Sequence, residues 1–409
     1  MRVTVERLGH LGDGIAPGPV LVPRALPGEV AEGAVEGGRM AAPRIVTPSP
    51  ARVAAPCPHY GACGGCALMH ADDAFVAGWK VDVVRRALSS QGLPAPVAGI
   101  ATSPPLSRRR ATLGARRTKA GTLVGFHARA SDTLTEIPGC RLLVPAIRDA
   151  RPLYDALTRA GGSRKGRLEI AVTAGEAGLD VAVAGGKPLD PALRVTLTGI
   201  AETWDVARLS WDGDTVVTRR SPLQPAGSAR VVPPPGAFLQ ATAHGQAALT
   251  AAVGAAVAGA GRIVDLFAGC GTFALPLART AELHAVEGEA EMLSALDAAW
   301  RRTPGLRRLT TEARDLFRRP LTADEFAIFD AAVIDPPRAG AEAQTAALAA
   351  GGPPRIAAVS CNPVTFARDA RLLCDGGYRL DRVLVVDQFR WSPHVEVAAT
   401  FLRGHIPPD

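Results

Sequence analysis

Short apolar stretches alternate with turn residues through the first fifty positions: Arg2 to Val5, Val20-Leu21-Val22 and Val30 to Val35, broken at Gly12-Asp13-Gly14 and Pro27-Gly28-Glu29. Strands this short, bounded by glycine and proline, predict a small β-barrel over residues 1–52 with little helix. The proline-rich stretch Val46 to Pro58 reads as a linker. After it, Val81, Val84 and Leu88 recur at helical spacing within Trp79 to Leu88, and Gly92 and Pro94 stop the pattern.

From Ala111 to about Ser221 the period shortens to two. Ala111 to Thr118 and Thr122 to His127 flank Lys119-Ala120-Gly121, and Leu168 to Val172 and Leu179 to Val183 flank Gly175-Glu176-Ala177-Gly178. A third pair flanks Asp212-Gly213-Asp214. These are hairpin signals, with Arg148 to Ala160 as the one helix expected among them. The run Val231-Val232-Pro233-Pro234-Pro235-Gly236 ends the region.

Beyond that break the periods alternate. Helices are expected at Gly245 to Ala258, Phe273 to Arg279 and Glu291 to Arg302; strands at Arg262 to Phe267, Leu283 to Glu287, Asp330 to Ile334 and Arg355 to Ser360. Such alternation predicts an α/β domain with a parallel, doubly wound, Rossmann-like sheet and a ligand at the carboxyl ends of its strands. Three units result: a β-barrel over 1–52, a mostly β central domain over 53–230, and the α/β domain over 231–409. No internal repeat is visible.

Charge adds a partner. The formal net charge is +7, and arginines cluster at Arg108-Arg109-Arg110, Arg116-Arg117 and Arg318-Arg319, a pattern suited to a polyanion such as nucleic acid. No apolar run approaches the ~20 residues of a membrane span, and MRVTVERLGH has no secretory apolar core, so a cytoplasmic protein without membrane association is expected. Seven cysteines in such a chain point to metal binding or catalysis rather than disulfides.

In Asp265-Leu-Phe-Ala-Gly269-Cys-Gly271-Thr-Phe a strand gives way to a helix across glycines that let a ligand approach the backbone. Glu287 ends the next strand 22 residues after Asp265, a spacing suited to ribose hydroxyls. The glycines also fit a loose dinucleotide pattern, so a nicotinamide cofactor must be weighed. Asp265 favours a sulfonium amino acid over a pyrophosphate, and S-adenosylmethionine is the cofactor expected.

Cys361 follows an apolar strand and precedes Asn362-Pro363; Glu396 lies in Pro393-His-Val-Glu396. Methylating uracil at C5 requires a thiolate to add at C6, and then a base to remove the C5 proton. Cys361 suits the first role and Glu396 the second. Asp335-Pro336-Pro337-Arg338 has the form of a turn that holds exocyclic amines, but Arg338 stands where such turns carry an aromatic residue, which favours uridine. Cys374, on an apolar helix face, reads as a packing residue.

Cys57, Cys63 and Cys66, with Gly64-Gly65 between the last two, put three thiols within ten residues, and Cys140 is the leading fourth ligand. Four thiolates would suit zinc or an iron–sulfur cluster.

Together DLFAGCGTFALPLA, DPPRAGA, SCNPVTFARD and DQFRWSPHVE resemble the class I RNA uracil-5-methyltransferase family, over essentially the whole chain. The resemblance implies that Cys361 is the nucleophile and Glu396 the base. It also implies that Gln240, Phe267, Glu287 and Asp335 contact S-adenosylmethionine, with Thr272 standing where the family has asparagine and Asp315 as a further counterpart. Arg110 aligns with a family arginine near the catalytic site. Residues 1–52 resemble the family's TRAM-type RNA-binding barrel, and the cysteine spacing resembles its [4Fe-4S] members. His70 is read as a packing residue. RNA is the partner implied, ribosomal ahead of transfer RNA, with no obligate protein partner. The competing readings are an RNA-binding module with a degenerate methyltransferase fold and a nicotinamide-dependent redox enzyme.

Overall fold

The computed structural model describes residues 1–404; the last five residues of the 231–409 unit lie outside the described residues. Its largest sheet has eight strands. Five run parallel in the order Leu309–Ala313, Glu282–Glu287, Arg262–Leu266, Ala331–Ile334 and Arg355–Ser360, as the apolar alternation predicts. The sheet is nevertheless mixed. Glu396–Arg403 pairs antiparallel with Arg355–Ser360, Tyr378–Asp387 pairs antiparallel with that strand, and Val97–Thr102 closes the edge parallel to Tyr378–Asp387. The antiparallel return brings Val397 opposite Ser360, and hence Glu396 close to Cys361.

Apolar side chains cover both faces of the sheet. On one face pack Leu249 and Val253 of the helix Ala243–Ala256 with Leu293 and Leu296 of Ala290–Arg302. On the other pack Val84 and Leu88 of Asp73–Ser90, Leu348 of Glu342–Gly351, and Phe366 and Leu373 of Pro363–Asp375. Helix starts follow local chemistry. Thr242 accepts from the Gly245 amide, and Asn362 accepts from the Val364 amide with Pro363 in the first turn. The span 53–230 thus contributes one helix and one edge strand to the C-terminal sheet.

The rest of that span forms a seven-stranded sheet in the order Leu134–Glu136, Thr122–His127, Arg110–Arg117, Leu168–Gly175, Gly178–Ala184, Arg208–Trp211 and Asp214–Thr218. All three hairpins expected from the sequence form. The expected Arg148 to Ala160 helix is split into Pro145–Arg148 and Arg151–Gly161. A second long helix, Pro191–Thr203, was not anticipated, although Asp190 caps it by accepting from the Leu193 amide and Pro191 opens it.

The first 47 residues form two three-stranded antiparallel sheets that share a core of Val3, Val5, Val20, Val22, Ala31 and Met40. Among the described residues no helix is long and apolar enough to cross a membrane.

Candidate active site

Five segments converge at the carboxyl ends of the central strands. The first is the turn after Arg262–Leu266. Phe267 takes φ +62°, a conformation that strains a bulky residue, and its ring packs 5.4 Å from that of Phe317. Gly269 and Gly271 follow at φ +52° and +86°. A Cβ on Gly271 would lie 2.9 Å from Leu275 and Leu296, so the turn sits tightly on its helix. Thr272 is half-buried in this turn. Glu287 holds the turn from the next strand: Oε2 accepts from Gly269 N at 3.0 Å, and Oε1 accepts from Gly288 N at 2.6 Å. Asp315 lies exposed beside Phe317, accepting from its amide at 3.0 Å.

Asp265 is fully buried, and neither of its oxygens has a hydrogen-bond partner; the Ala274 amide is directed toward it without completing a bond. Burial, reinforced by Asp335 and Glu287, holds its carboxyl well above the usual range. Asp335 keeps some solvent access, yet it sits deep enough in the cleft that desolvation pushes it up to about 7. Two raised carboxyls side by side, with the Glu287 carboxylate as their neighbour, are relieved by a positively charged ligand. The donor set therefore fits a sulfonium cofactor with an amino group.

Cys361 lies between Arg355–Ser360 and the start of Pro363–Asp375. It is half-buried, and its thiol is pushed up to about 11 by desolvation, then by the charges of Glu396 and Asp335, with Arg338 opposing them. Arg338 is held in place because Asn362 Nδ2 and Thr365 Oγ1 donate to its carbonyl at 3.0 and 3.3 Å. Glu396 is 2% exposed. Its carboxyl is raised to about 8 by burial and Asp335, against the lowering pull of Gln388 and Arg338. Cys361, Glu396, Asp335 and Arg338 thus share one cleft.

Gln240 is buried at its side, its Oε1 accepting from Gln388 Nε2 at 2.5 Å. Neither Gln388 nor Lys80 was anticipated from sequence. Lys80, which is fully buried, donates to Asp387 at 2.5 Å. The arginine triplet also serves the interior more than its sequence suggests: Arg109 is buried and donates to Gln240 O at 3.3 Å and Gln246 Oε1 at 2.5 Å. Arg110 stacks over Phe238, 4.9 Å from the ring centroid. Beside it a cavity of about 420 Å³ is lined by Arg108, Arg110, Phe126, Phe238 and Phe389.

Cys57, Cys63, Cys66 and Cys140 line one small apolar cavity with Tyr60 and Phe126, and all four are free thiols. Burial and the neighbouring thiols push Cys66 upward, Cys140 first among those neighbours. A Cβ on Gly64 would meet His127 O at 2.7 Å, so that glycine lets the loop press on the central sheet. His70 stays off this cavity, its Nδ1 2.6 Å from the Tyr60 hydroxyl. Among the described residues no three His, Cys, Asp or Glu side chains are grouped to hold a single metal ion.

A doubly wound sheet with a glycine turn, an acidic strand end and a thiol facing the same cleft fits the methyltransferase class. Residues 306–403 match the family model for tRNA (uracil-5-)-methyltransferase. The chain is 44% identical to an uncharacterized RNA methyltransferase of Rhizobium meliloti, over 97% of this chain and 98% of that one. It is 36% identical to the 23S rRNA (uracil(1939)-C(5))-methyltransferase RlmD of Chromohalobacter salexigens, over 96% and 87%. The chain belongs to the RNA uracil-5-methyltransferase family and is an RNA methyltransferase. The crystal structure of the Pyrococcus abyssi tRNA (uracil-54, C5)-methyltransferase with S-adenosyl-L-homocysteine shares its fold, with a TM-score of 0.77, 23% identity and coverage of 98% and 99%. With the family known, the nicotinamide reading of the glycine turn is set aside.

Proposed function

We propose that this enzyme methylates C5 of a uridine in ribosomal RNA through a covalent Cys361 adduct. The observation that carries the reading is the shared cleft of Cys361 and Glu396, with Asp335 between them and the acidic glycine turn. The RlmD likeness supports ribosomal over transfer RNA. Gln240, Phe267, Thr272, Glu287, Asp315 and Asp335 would hold S-adenosylmethionine, which would supply the methyl group to C5 by breaking its sulfur–methyl bond and leave as S-adenosylhomocysteine. The Cys361 thiolate adds to C6, which makes C5 nucleophilic; C5 takes the methyl group; Glu396 removes the C5 proton; the C5–C6 double bond re-forms and the thiolate leaves. Arg338 and the amino end of Pro363–Asp375 oppose the burial and carboxylates that hold the Cys361 thiol up to about 11, and so aid its ionisation. A stacked base hides C6, so the uridine must leave its stack. The basic, aromatic cavity beside Phe238 suits neighbouring bases. The two small N-terminal sheets support a TRAM-like barrel as a further RNA contact, and action on cellular RNA implies a cytoplasmic location.

The four thiols around one cavity support a [4Fe-4S] cluster that ties the 57–66 loop to the central sheet. Anaerobically purified protein is expected to carry about four iron atoms per chain with visible absorption. Cys66→Ser should lose both and lower the thermal midpoint. One zinc per colourless chain would contradict the cluster.

Mapping 5-methyluridine across total RNA in a strain lacking the gene tests the function. One mark should vanish from the large ribosomal RNA and return with the wild-type gene; a mark lost from transfer RNA alone would contradict the substrate assignment.

A further inference from the structure

Gln388 follows the strand Tyr378–Asp387 and is 2% exposed. Its partners fix which end of its carboxamide is which. The Ala241 amide donates to Oε1 at 2.9 Å, so Nε2 is the end that donates to Gln240 Oε1 at 2.5 Å. With its oxygen taken, Gln240 offers its own amide nitrogen, a donor, for further contacts. Val386, two residues before Gln388, pairs with Glu396 across the antiparallel strands, which sets the carboxamide beside the base, where it favours the charged form of the Glu396 carboxyl without completing a bond to it.

Two independent features hold Gln388 there. On its chain neighbour, the buried Lys80–Asp387 pair pins the strand end, and Lys80 donates again to Phe389 O at 3.1 Å. From the opposite side comes the first turn of Ala243–Ala256. A Cβ on Gly245 would lie 2.7 Å from Gln388 Cβ and 3.1 Å from its Oε1, so only glycine lets the helix approach so closely. A surface-filling glutamine would need neither device.

We infer that Gln388 is a positioning residue: one carboxamide couples the Gln240 segment to Glu396, so that cofactor-side and base-side groups are set together. The inference rests on the proposed uridine methylation. The charged groups facing Glu396 are Asp335, Arg338 and the Cys361 thiol; the Lys80–Asp387 pair beside Gln388 compensates itself. Gln388→Met keeps the volume and removes the donor. Without that donor the Glu396 carboxylate loses a neighbouring polar group that favours its charge, so a higher pH is needed to ionise it.

The test uses the full-length protein with ribosomal RNA from a strain lacking the gene, measuring kcat, KM and their pH dependence. Gln388→Met is expected to lower kcat roughly 10- to 100-fold and to raise KM for S-adenosylmethionine, with KM for the RNA little changed. The acid limb of kcat against pH should move to higher pH, and adduct should build up relative to product. Gly245→Ala, which crowds Gln388 and the Thr242 cap, should move the limb in the same direction by less, and it serves where Gln388→Met folds poorly. Limbs that coincide with wild type in both variants would overturn the positioning role and leave the methylation reading standing. A wild-type enzyme that forms no 5-methyluridine would overturn both.

Discussion

Cys361→Ala is expected to abolish methylation, with turnover lower by at least about 10⁴-fold, because no other group near C6 can make C5 nucleophilic. The change should leave folding and S-adenosylmethionine binding intact. Cys361 is only half-buried and serves no packing cluster, unlike Cys270, which packs in the core under the glycine turn. RNA binding should persist, since the arginine and aromatic groups of the neighbouring cavity are untouched. A denaturation-resistant protein–RNA band should appear for wild type and be absent for the variant. An RNA-binding module with a disused catalytic fold would instead show no such band for either protein and no difference between them.

Glu396→Gln should separate the two halves of the reaction. Addition and methyl transfer proceed, but the C5 proton stays, so the enzyme remains bonded to methylated RNA. Turnover is expected to fall roughly 10²- to 10⁴-fold while adduct accumulates. Once the adduct has formed, its breakdown in the wild-type enzyme should quicken about tenfold per pH unit on the acid side of pH 8, since removal of the proton needs the carboxylate and burial holds its carboxyl up to about 8. The variant should lack that limb. Stability gives an internal control. Folding raises the Glu396 carboxyl from its ordinary value of 4.5 to about 8; between those values the native protein retains a proton that the unfolded chain has released. Its contribution is therefore fully present below pH 4.5 and is lost as pH rises through 8. Glutamine escapes that loss, so the variant's thermal midpoint at pH 8 should match or exceed wild type. A lower midpoint would mean that the lost activity reflects damaged packing.

Much of the catalytic half is legible because its signals are local. The strand Arg262–Leu266, the glycines at 269 and 271 and the end of Arg355–Ser360 each declare themselves within a few residues. What stays hidden depends on partners far along the chain. Val97–Thr102 looks like any short strand, and only tertiary pairing with Tyr378–Asp387 makes it the edge of the catalytic sheet. Lys80 sits in an amphipathic helix where a lysine ordinarily faces water; its burial makes sense only once Asp387, 307 residues later, is opposite. Arg109 reads as one of a basic triplet, yet the antiparallel bridge of Arg108 to Thr242 turns it inward against the Ala243–Ala256 helix. Gln388 lies inside DQFRWSPHVE, but nothing local marks its part, because its role is a pair of hydrogen bonds to a distant loop. The Pro191–Thr203 helix is different: Asp190 and Pro191 form a readable start, and the strand-like pattern around them masked it.

The thiol-to-carbon bond is the claim from which the rest follows. The direct measurement is mass spectrometry of the peptide carrying Cys361 after reaction with S-adenosylmethionine and RNA containing 5-fluorouridine, whose C5 substituent cannot leave as a proton. The account predicts a nucleotide attached at Cys361 that bears one transferred methyl group. An unmodified Cys361 peptide beside fully methylated uridine in natural RNA, or an adduct on another residue, would contradict it.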